Sequence, residues 1–220
     1  MKNEIILRVL SSLILLPSVF FILFWGSYYL LFFLILAFII SVYEWNNLCK
    51  NYLIKLIGIF FLFFSFLSIY LLRMKTNSEL NVDFLFLVLI ICICTDTGGF
   101  IFGKLLKGPK LTKISPNKTY SGVIGSFLLP LLVLILLINF LKKENEMLLI
   151  FQTQYGFLLF ILFISLISQS GDLLISVFKR STKKKDTGKI IPGHGGILDR
   201  IDGMIFAFPF SYIIYEFFLK

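Results

Sequence analysis

The sequence predicts an all-α, polytopic integral membrane protein of about seven transmembrane helices, with its polar chemistry gathered on one face. Three observations lead there. First, 58% of the 220 residues are hydrophobic and only 15% are charged, against roughly 25% charged in an ordinary soluble domain. Thirty-three charged side chains beside 27 Phe residues cannot cover a water-exposed globule of this size. Second, apolar runs close to the roughly 20 residues that a crossing helix needs recur along the chain. Third, Lys and Arg fall unevenly between the loops that join those runs.

The runs are Val9 to Trp25, Tyr28 to Leu48, Tyr52 to Leu72, Phe84 to Phe102, Gly122 to Leu141, Tyr155 to Phe178 and Ile201 to Leu219. Lys2 and Arg8 precede the first run, which is too long and too poor in small residues for a removable signal peptide, so it reads as a retained span. Met147 to Phe178 exceeds one crossing, which assigns Met147 to Gln154 to an outer loop or interfacial turn. The three cysteines, Cys49, Cys92 and Cys94, form neither a CxxC pair nor a disulfide framework and read as buried small hydrophobes. There is no internal repeat, and the whole chain, 1–220, reads as one membrane-embedded domain.

Orientation follows the basic residues. With the N-terminus on the cytoplasmic side, 16 of the 21 Lys and Arg residues face the cytoplasm and five, Arg73, Lys75, Lys142, Lys143 and Lys220, face away. The loops Lys104 to Ser121 and Lys179 to Arg200 then share one face and hold most of the polar chemistry. The net charge of +9 points to anionic headgroups or anionic substrates, with no nucleic acid required.

Three acids interrupt apolar runs. A carboxylate at the centre of a membrane helix costs about 2.5 to 3.5 kcal/mol on insertion scales, so such groups face a partner or a wet cavity. Glu44, followed by Trp45 and Asn46, reads equally well as an interfacial acid reaching water. Asp96 precedes Thr97-Gly98-Gly99, and Asp172 follows Ser168-Gln169-Ser170-Gly171. Both sit among small or polar residues where backbone or ligand comes close, and both are functional candidates.

Two loops complete the candidate chemistry. Ser115-Pro116-Asn117-Lys118-Thr119 reads as a helix start, with the Ser115 hydroxyl as N-cap and Pro116 at the first helical position. Free N–H groups there, with Lys118 and Thr119 in the first turn, offer a phosphate site. The second stretch runs from Ser176-Val177-Phe178-Lys179-Arg180 through Lys185-Asp186-Thr187-Gly188 to Pro192-Gly193-His194-Gly195-Gly196-Ile197-Leu198-Asp199-Arg200-Ile201-Asp202. Cations and exposed glycine amides such as those of Gly195 and Gly196 cradle oxyanions, and carboxylates hold the divalent metal that bridges them. Asp199 and Asp202, three apart, share a helix face and form one acidic cluster with Asp172 if their helix ends pack together. His194, the sole histidine, either shapes the loop through a hydrogen bond or takes part in catalysis.

The second stretch closely resembles the signature of the phosphatidate cytidylyltransferases, or CDP-diacylglycerol synthases. Every fixed position from Ser176 to Asp202 is matched, and Asp96-Thr97-Gly98, Ser115 to Thr119 and Gly171-Asp172 look like the family too. One position departs: Ser121 stands where the family usually carries an acid. The resemblance covers residues 95 to 122 and 171 to 203. It implies that CTP and phosphatidate give CDP-diacylglycerol and pyrophosphate, with Mg²⁺, at the cytoplasmic face of a lipid membrane, and it suggests a homodimer; the absence of an organelle-targeting segment and the short, loop-poor chain favour a bacterial inner membrane. In that reading Asp172, Asp199, Asp202 and Asp96 are metal ligands. Lys179, Arg180, Lys185, Asp186, His194 and Arg200 form the catalytic set. Ser115, Pro116, Lys118, Thr119, Gly195 and Gly196 bind the triphosphate or the lipid headgroup. The attacking phosphate is already ionised at neutral pH, so the implied chemistry rests on alignment and charge neutralisation.

Rival readings are a CTP-dependent polyprenol or phytol kinase and, from another class, a small ion-coupled transporter. The complete His-Gly-Gly and Asp-Arg-x-Asp pattern weighs against the kinase. A transporter predicts charges near the membrane midplane and matching broken helices, whereas the polar residues here gather on one face. A CDP-alcohol phosphatidyltransferase would need Ala-Arg after Asp202-Gly203, and Met204-Ile205 stands there instead.

Overall fold

Inside a bilayer every backbone N–H and C=O must be satisfied within its own segment, which a helix achieves along its length. The computed structural model describes residues 27–75, 84–112, 115, 118–141, 151, 153–191 and 195–219. Among these residues it is all-helical, with two isolated antiparallel bridges, Lys110 with Thr119 and Ile191 with Gly195. The helices are α1 (Ser27–Leu48), α2 (Tyr52–Lys75), α3 (Phe84–Leu106), α4 (Tyr120–Leu141), α5 (Gln154–Ser181), α6 (Leu198–Ile201) and α7 (Met204–Ile214), which runs on into a π-helical turn, Tyr215–Leu219. Five of them, α1 to α5, are long and apolar enough to cross a membrane, and Met204–Phe218 is a shorter apolar helix. The first expected span, residues 9 to 25, lies outside the described residues. Large apolar side chains cover the outside: Phe32, Phe60, Leu136 and Phe140 are all exposed, as lipid-facing surface is. With the run of apolar helices this makes the chain an integral membrane protein.

The last expected span, Ile201 to Leu219, is divided. α6 stops at Ile201, Asp202 and Gly203 form a turn, and α7 begins at Met204. Both turn residues keep right-handed helical backbone angles, Asp202 at φ −56, ψ −40 and Gly203 at φ −72, ψ −39, and Gly203 packs directly against the Ser168 hydroxyl of α5, leaving no room for a Cβ. α7 is central, packing against α2, α5 and α3. Its helix survives Pro209, and Ser65 of α2 donates to the Ile205 carbonyl at 2.7 Å.

The largest helix pair is α3 with α4. Gly98 and Gly99 face Gly122, Gly125 and Ser126, the small-residue pattern that lets membrane helices approach closely. A Cβ on Gly125 would meet the Phe102 ring at 2.5 Å and the Gly98 carbonyl at 2.7 Å. Between the two helices the chain closes a short hairpin, in which Leu111 N–H donates to Lys118 O at 2.8 Å and Tyr120 N–H to Pro109 O at 3.1 Å.

That hairpin corrects the expected helix start. Ser115 does not cap α4; its carbonyl accepts from Lys118 N–H inside the turn. The cap is Thr119, whose hydroxyl accepts from Gly122 N–H at 3.1 Å. Ser121, where the family usually has an acid, closes the same hairpin by accepting from Gly108 N–H at 3.3 Å. All three cysteines are free and buried, as expected.

Candidate active site

Asp172, Ser176 and Lys179 recur at helical spacing on one face of α5. Ser176 donates to Asp172 Oδ1 at 3.3 Å. The hairpin before α4 delivers Lys118 to the same carboxylate, Nζ to Oδ2 at 2.6 Å. One helical level further, Lys179 Nζ lies 2.8 Å from Asp199 Oδ1 and 3.9 Å from Asp202 Oδ2. Asp202 in turn interacts electrostatically with Asp172. Glycines make this convergence possible: a Cβ on Gly171 would meet the Phe206 ring at 2.5 Å and the Asp202 carbonyl at 3.0 Å. The expected packing of the α5 end against the start of the last apolar segment is therefore present.

α5 ends in a Schellman-type reversal. Lys183 takes φ 56, Lys183 N–H donates to Arg180 O and Lys184 N–H to Lys179 O. The chain then turns back toward the site, pinned by Lys184 Nζ on the Asn47 carbonyl at 2.7 Å. Trp45 of α1 packs edge-on against Phe178, with ring centroids 5.0 Å apart.

Asp199 organises the loop that follows. Its Oδ2 accepts from Thr187 N–H at 2.7 Å and Gly196 N–H at 3.0 Å, and lies 3.0 Å from the Thr187 hydroxyl. Burial alone would raise its pKa, but the Lys179 ammonium and the two N–H donors outweigh that and hold the carboxyl below the usual carboxylate range. Gly195, at φ +88, adopts a left-handed backbone that side-chain-bearing residues rarely take, and it exchanges two backbone hydrogen bonds with Ile191. Asp186 lies alongside it, within 3.2 Å of where a Cβ would stand.

The structure thus brings together Asp172, Asp202, Lys118 and Lys179, with Asp199 joined to them through Lys179. Asp96 shares their electrostatic environment, within range of Asp172, Lys118 and Arg200. Arg180 is exposed and donates to the Lys184 carbonyl; Lys185 and Arg200 are exposed at the loop surface. Ser115 and Thr119 stay in the hairpin behind Lys118. Pro116 and His194 lie outside the described residues. Two contributors escape a reading by motif. Thr187 occupies a variable position of the signature, and Glu44, 1% exposed, turns inward where Trp45 and Asn46 pointed equally to an interface. Its only sequence signal was a charge inside an apolar run.

Among the described residues no three acids, histidines or cysteines converge tightly enough to cage a metal ion by themselves. Asp199 and Asp202 around Lys179, with Asp172 on Lys118 beside them, are nevertheless an all-oxygen donor set. Mg²⁺ is commonly held by one or two carboxylates together with substrate phosphates, and the residues present fit that pattern.

A model of the cytidylyltransferase family matches residues 49–218. The phosphatidate cytidylyltransferase of Rickettsia typhi is 36% identical over 215 residues, 94% of this chain and 90% of that relative. Its counterpart in Rickettsia felis is 34% identical over 217 residues, covering 97% and 93%. That of Staphylococcus aureus strain COL is 38% identical over 160 residues, covering 72% of this chain and 55% of the relative. The matched region contains every described member of the carboxylate and lysine cluster, and the chain belongs to the cytidylyltransferase family, with phosphatidate cytidylyltransferases as its relatives.

Proposed function

We propose that the chain transfers the cytidylyl group of CTP to phosphatidate, releasing pyrophosphate and forming CDP-diacylglycerol for phospholipid synthesis. The observation that carries this reading is the alternation of acid and base at the site: Lys118 on Asp172, then Lys179 between Asp199 and Asp202. Such an array suits two polyanionic substrates that must be brought together against their mutual repulsion. A phosphate oxygen of phosphatidate attacks the α-phosphorus of CTP, a new P–O bond forms, and the bond to the β-phosphate oxygen breaks as pyrophosphate leaves. Lys118 and Lys179, with Arg180, Lys185 and Arg200 at the rim, neutralise charge on the phosphates and hold them in line. Asp199 fixes where the Lys179 ammonium points. Asp172 and Asp202 would hold Mg²⁺, with Asp96 beside them, and the ion when bound supplies Lewis-acid neutralisation of phosphate charge. The diacyl chains stay among the apolar helices, and the positive-inside distribution of Lys and Arg supports a site facing the cytoplasm of a bacterial inner membrane.

The test uses purified protein with Mg²⁺, phosphatidate and CTP labelled in either the α- or the γ-phosphate. Label from the α-position is expected in the lipid product, and label from the γ-position in pyrophosphate. Lipid that acquires the γ-label marks a kinase, and lipid without label from either position removes the assignment.

A further inference from the structure

Glu44 makes contacts that the reaction scheme above leaves unused, and it precedes residue 49, where the family match begins. Its Oε1 accepts from Ile197 N–H at 3.1 Å and its Oε2 from Leu198 N–H at 2.9 Å. The Thr187 hydroxyl lies 3.0 Å from Glu44 Oε2 and 3.0 Å from Asp199 Oδ2, so its one proton serves one carboxylate at a time. Two glycines register the same contact. A Cβ on Gly188 would stand 2.5, 3.0 and 3.2 Å from Oε1, Cδ and Cγ of Glu44. A Cβ on Gly196 would run into the Glu44 carboxylate and the Thr187 hydroxyl. The side chain therefore fills the hollow between the two arms of the loop, 187–188 and 196–198, from a helix that carries no other part of the site.

A buried carboxylate is costly unless its hydrogen bonds are met, and here they are met by the two backbone N–H groups immediately before Asp199 and by the Thr187 hydroxyl. Asp199 touches Thr187 and Gly196 with one oxygen and Lys179 with the other. Whatever fixes the loop arms fixes the Lys179 ammonium. We propose that Glu44 is a positioning residue for cytidylyl transfer, clamping both arms of the loop so that Asp199 presents Lys179 at the site. The inference rests on the cytidylyltransferase reading and extends it to a residue that touches neither substrate.

Glu44→Gln is the informative change, because both oxygens receive N–H donors. An amide of the same size sets a donor against a donor in either orientation. A misplaced positive group costs turnover more than binding, and displacements of about 1 Å can cost ~100-fold. The variant is expected to lose on the order of 10- to 100-fold in kcat, with KM for CTP and phosphatidate within about twofold, in protein that still folds, with an unfolding midpoint in detergent lowered by the lost buried hydrogen bonds. Gly188→Ala provides an independent reading. It should lower kcat in the wild-type background and have less further effect beside Glu44→Ala, which removes the three atoms nearest its Cβ. Wild-type kcat in Glu44→Gln, or activity lost only in proportion to folded protein, overturns the proposal. If Glu44→Gln fails to fold, Gly188→Ala decides alone: lost kcat in folded protein supports the clamp and unchanged kcat refutes it. Failure of the wild-type protein to form CDP-diacylglycerol in the same assay instead removes the underlying reading, and this inference with it.

Discussion

Asp172 and Asp199 both carry a lysine partner, yet their surroundings assign them opposite duties. Asp199 has both oxygens filled, and the side chains of Asp199 and Lys179 are 6% and 12% exposed. Breaking such a buried pair costs about 3 to 5 kcal/mol, so Asp199→Asn should lower the unfolding midpoint sharply along with activity. Asp172 shares a more open pair with Lys118, the side chains 28% and 25% exposed, so that pair is worth less than the buried one, and the charge of Asp172 is opposed by that of Asp202. Asp172→Asn relieves that repulsion. Its unfolding midpoint should hold or rise while CDP-diacylglycerol synthesis falls at least ~100-fold, the size of loss seen when a charge-stabilising group is removed from an active site. Thermal unfolding in detergent beside the labelled-CTP assay checks the pair, and the reverse pattern would exchange the two roles. In the sequence these aspartates looked equivalent, since spacing alone places Asp199 and Asp202 on one helix face. They do share it, both facing Lys179, but whether a carboxylate is already filled depends on the Thr187 and Gly196 amides, which no spacing rule displays.

At the scale of elements, the contact that brings Asp96 and the Lys118 hairpin to one place is the glycine-lined packing of α3 on α4. Gly125→Leu would drive a branched side chain into the Phe102 ring and the Gly98 carbonyl. Overpacking of this kind costs typically 1 to 3 kcal/mol, and backbone on one side of the contact leaves little room to yield. A lowered unfolding midpoint is expected, whereas Leu128→Ala, on an exposed part of the same helix, should stay within about 0.5 kcal/mol of wild type. Equal effects at both positions would mean that the helices do not meet through Gly125. The small residues around Asp96 had pointed to close approach, and the apolar runs had located α1 to α5 to within a few residues. Helix ends were less legible. Ser115-Pro116 carries the local chemistry of a helix start, but a hairpin closed by Leu111 on Lys118 and Gly108 on Ser121 prevails, and the cap passes to Thr119. At the turn in the last apolar run, the need for Gly203 is written in α5, where Ser168 leaves no room for a side chain.

Across the whole molecule, the C-terminal ends of α1, α3 and α5 and the N-terminal ends of α2 and α4 share one side. Lys184 reaches the Asn47 carbonyl, the Trp45 ring nitrogen donates to the Lys55 carbonyl, and Lys118 meets Asp172. Among the described residues this common side carries bases of the two loops, Lys118 and Lys184 among them, and the proposed cytoplasmic orientation rests on the 16-to-5 charge asymmetry of the sequence. Single cysteines introduced into a background lacking Cys49, Cys92 and Cys94 test the arrangement. Positions 112 and 182, in the hairpin and just past α5, should react with a membrane-impermeant maleimide only after the cytoplasmic face is opened. Position 153, at the N-cap of α5, should react in intact spheroplasts. Should 112 and 182 label from opposite sides, the shared face is wrong. Should all three label with the inside and outside exchanged, the helix arrangement stands and the site opens outward, away from cytoplasmic CTP, which would contradict the proposed reaction in a cell.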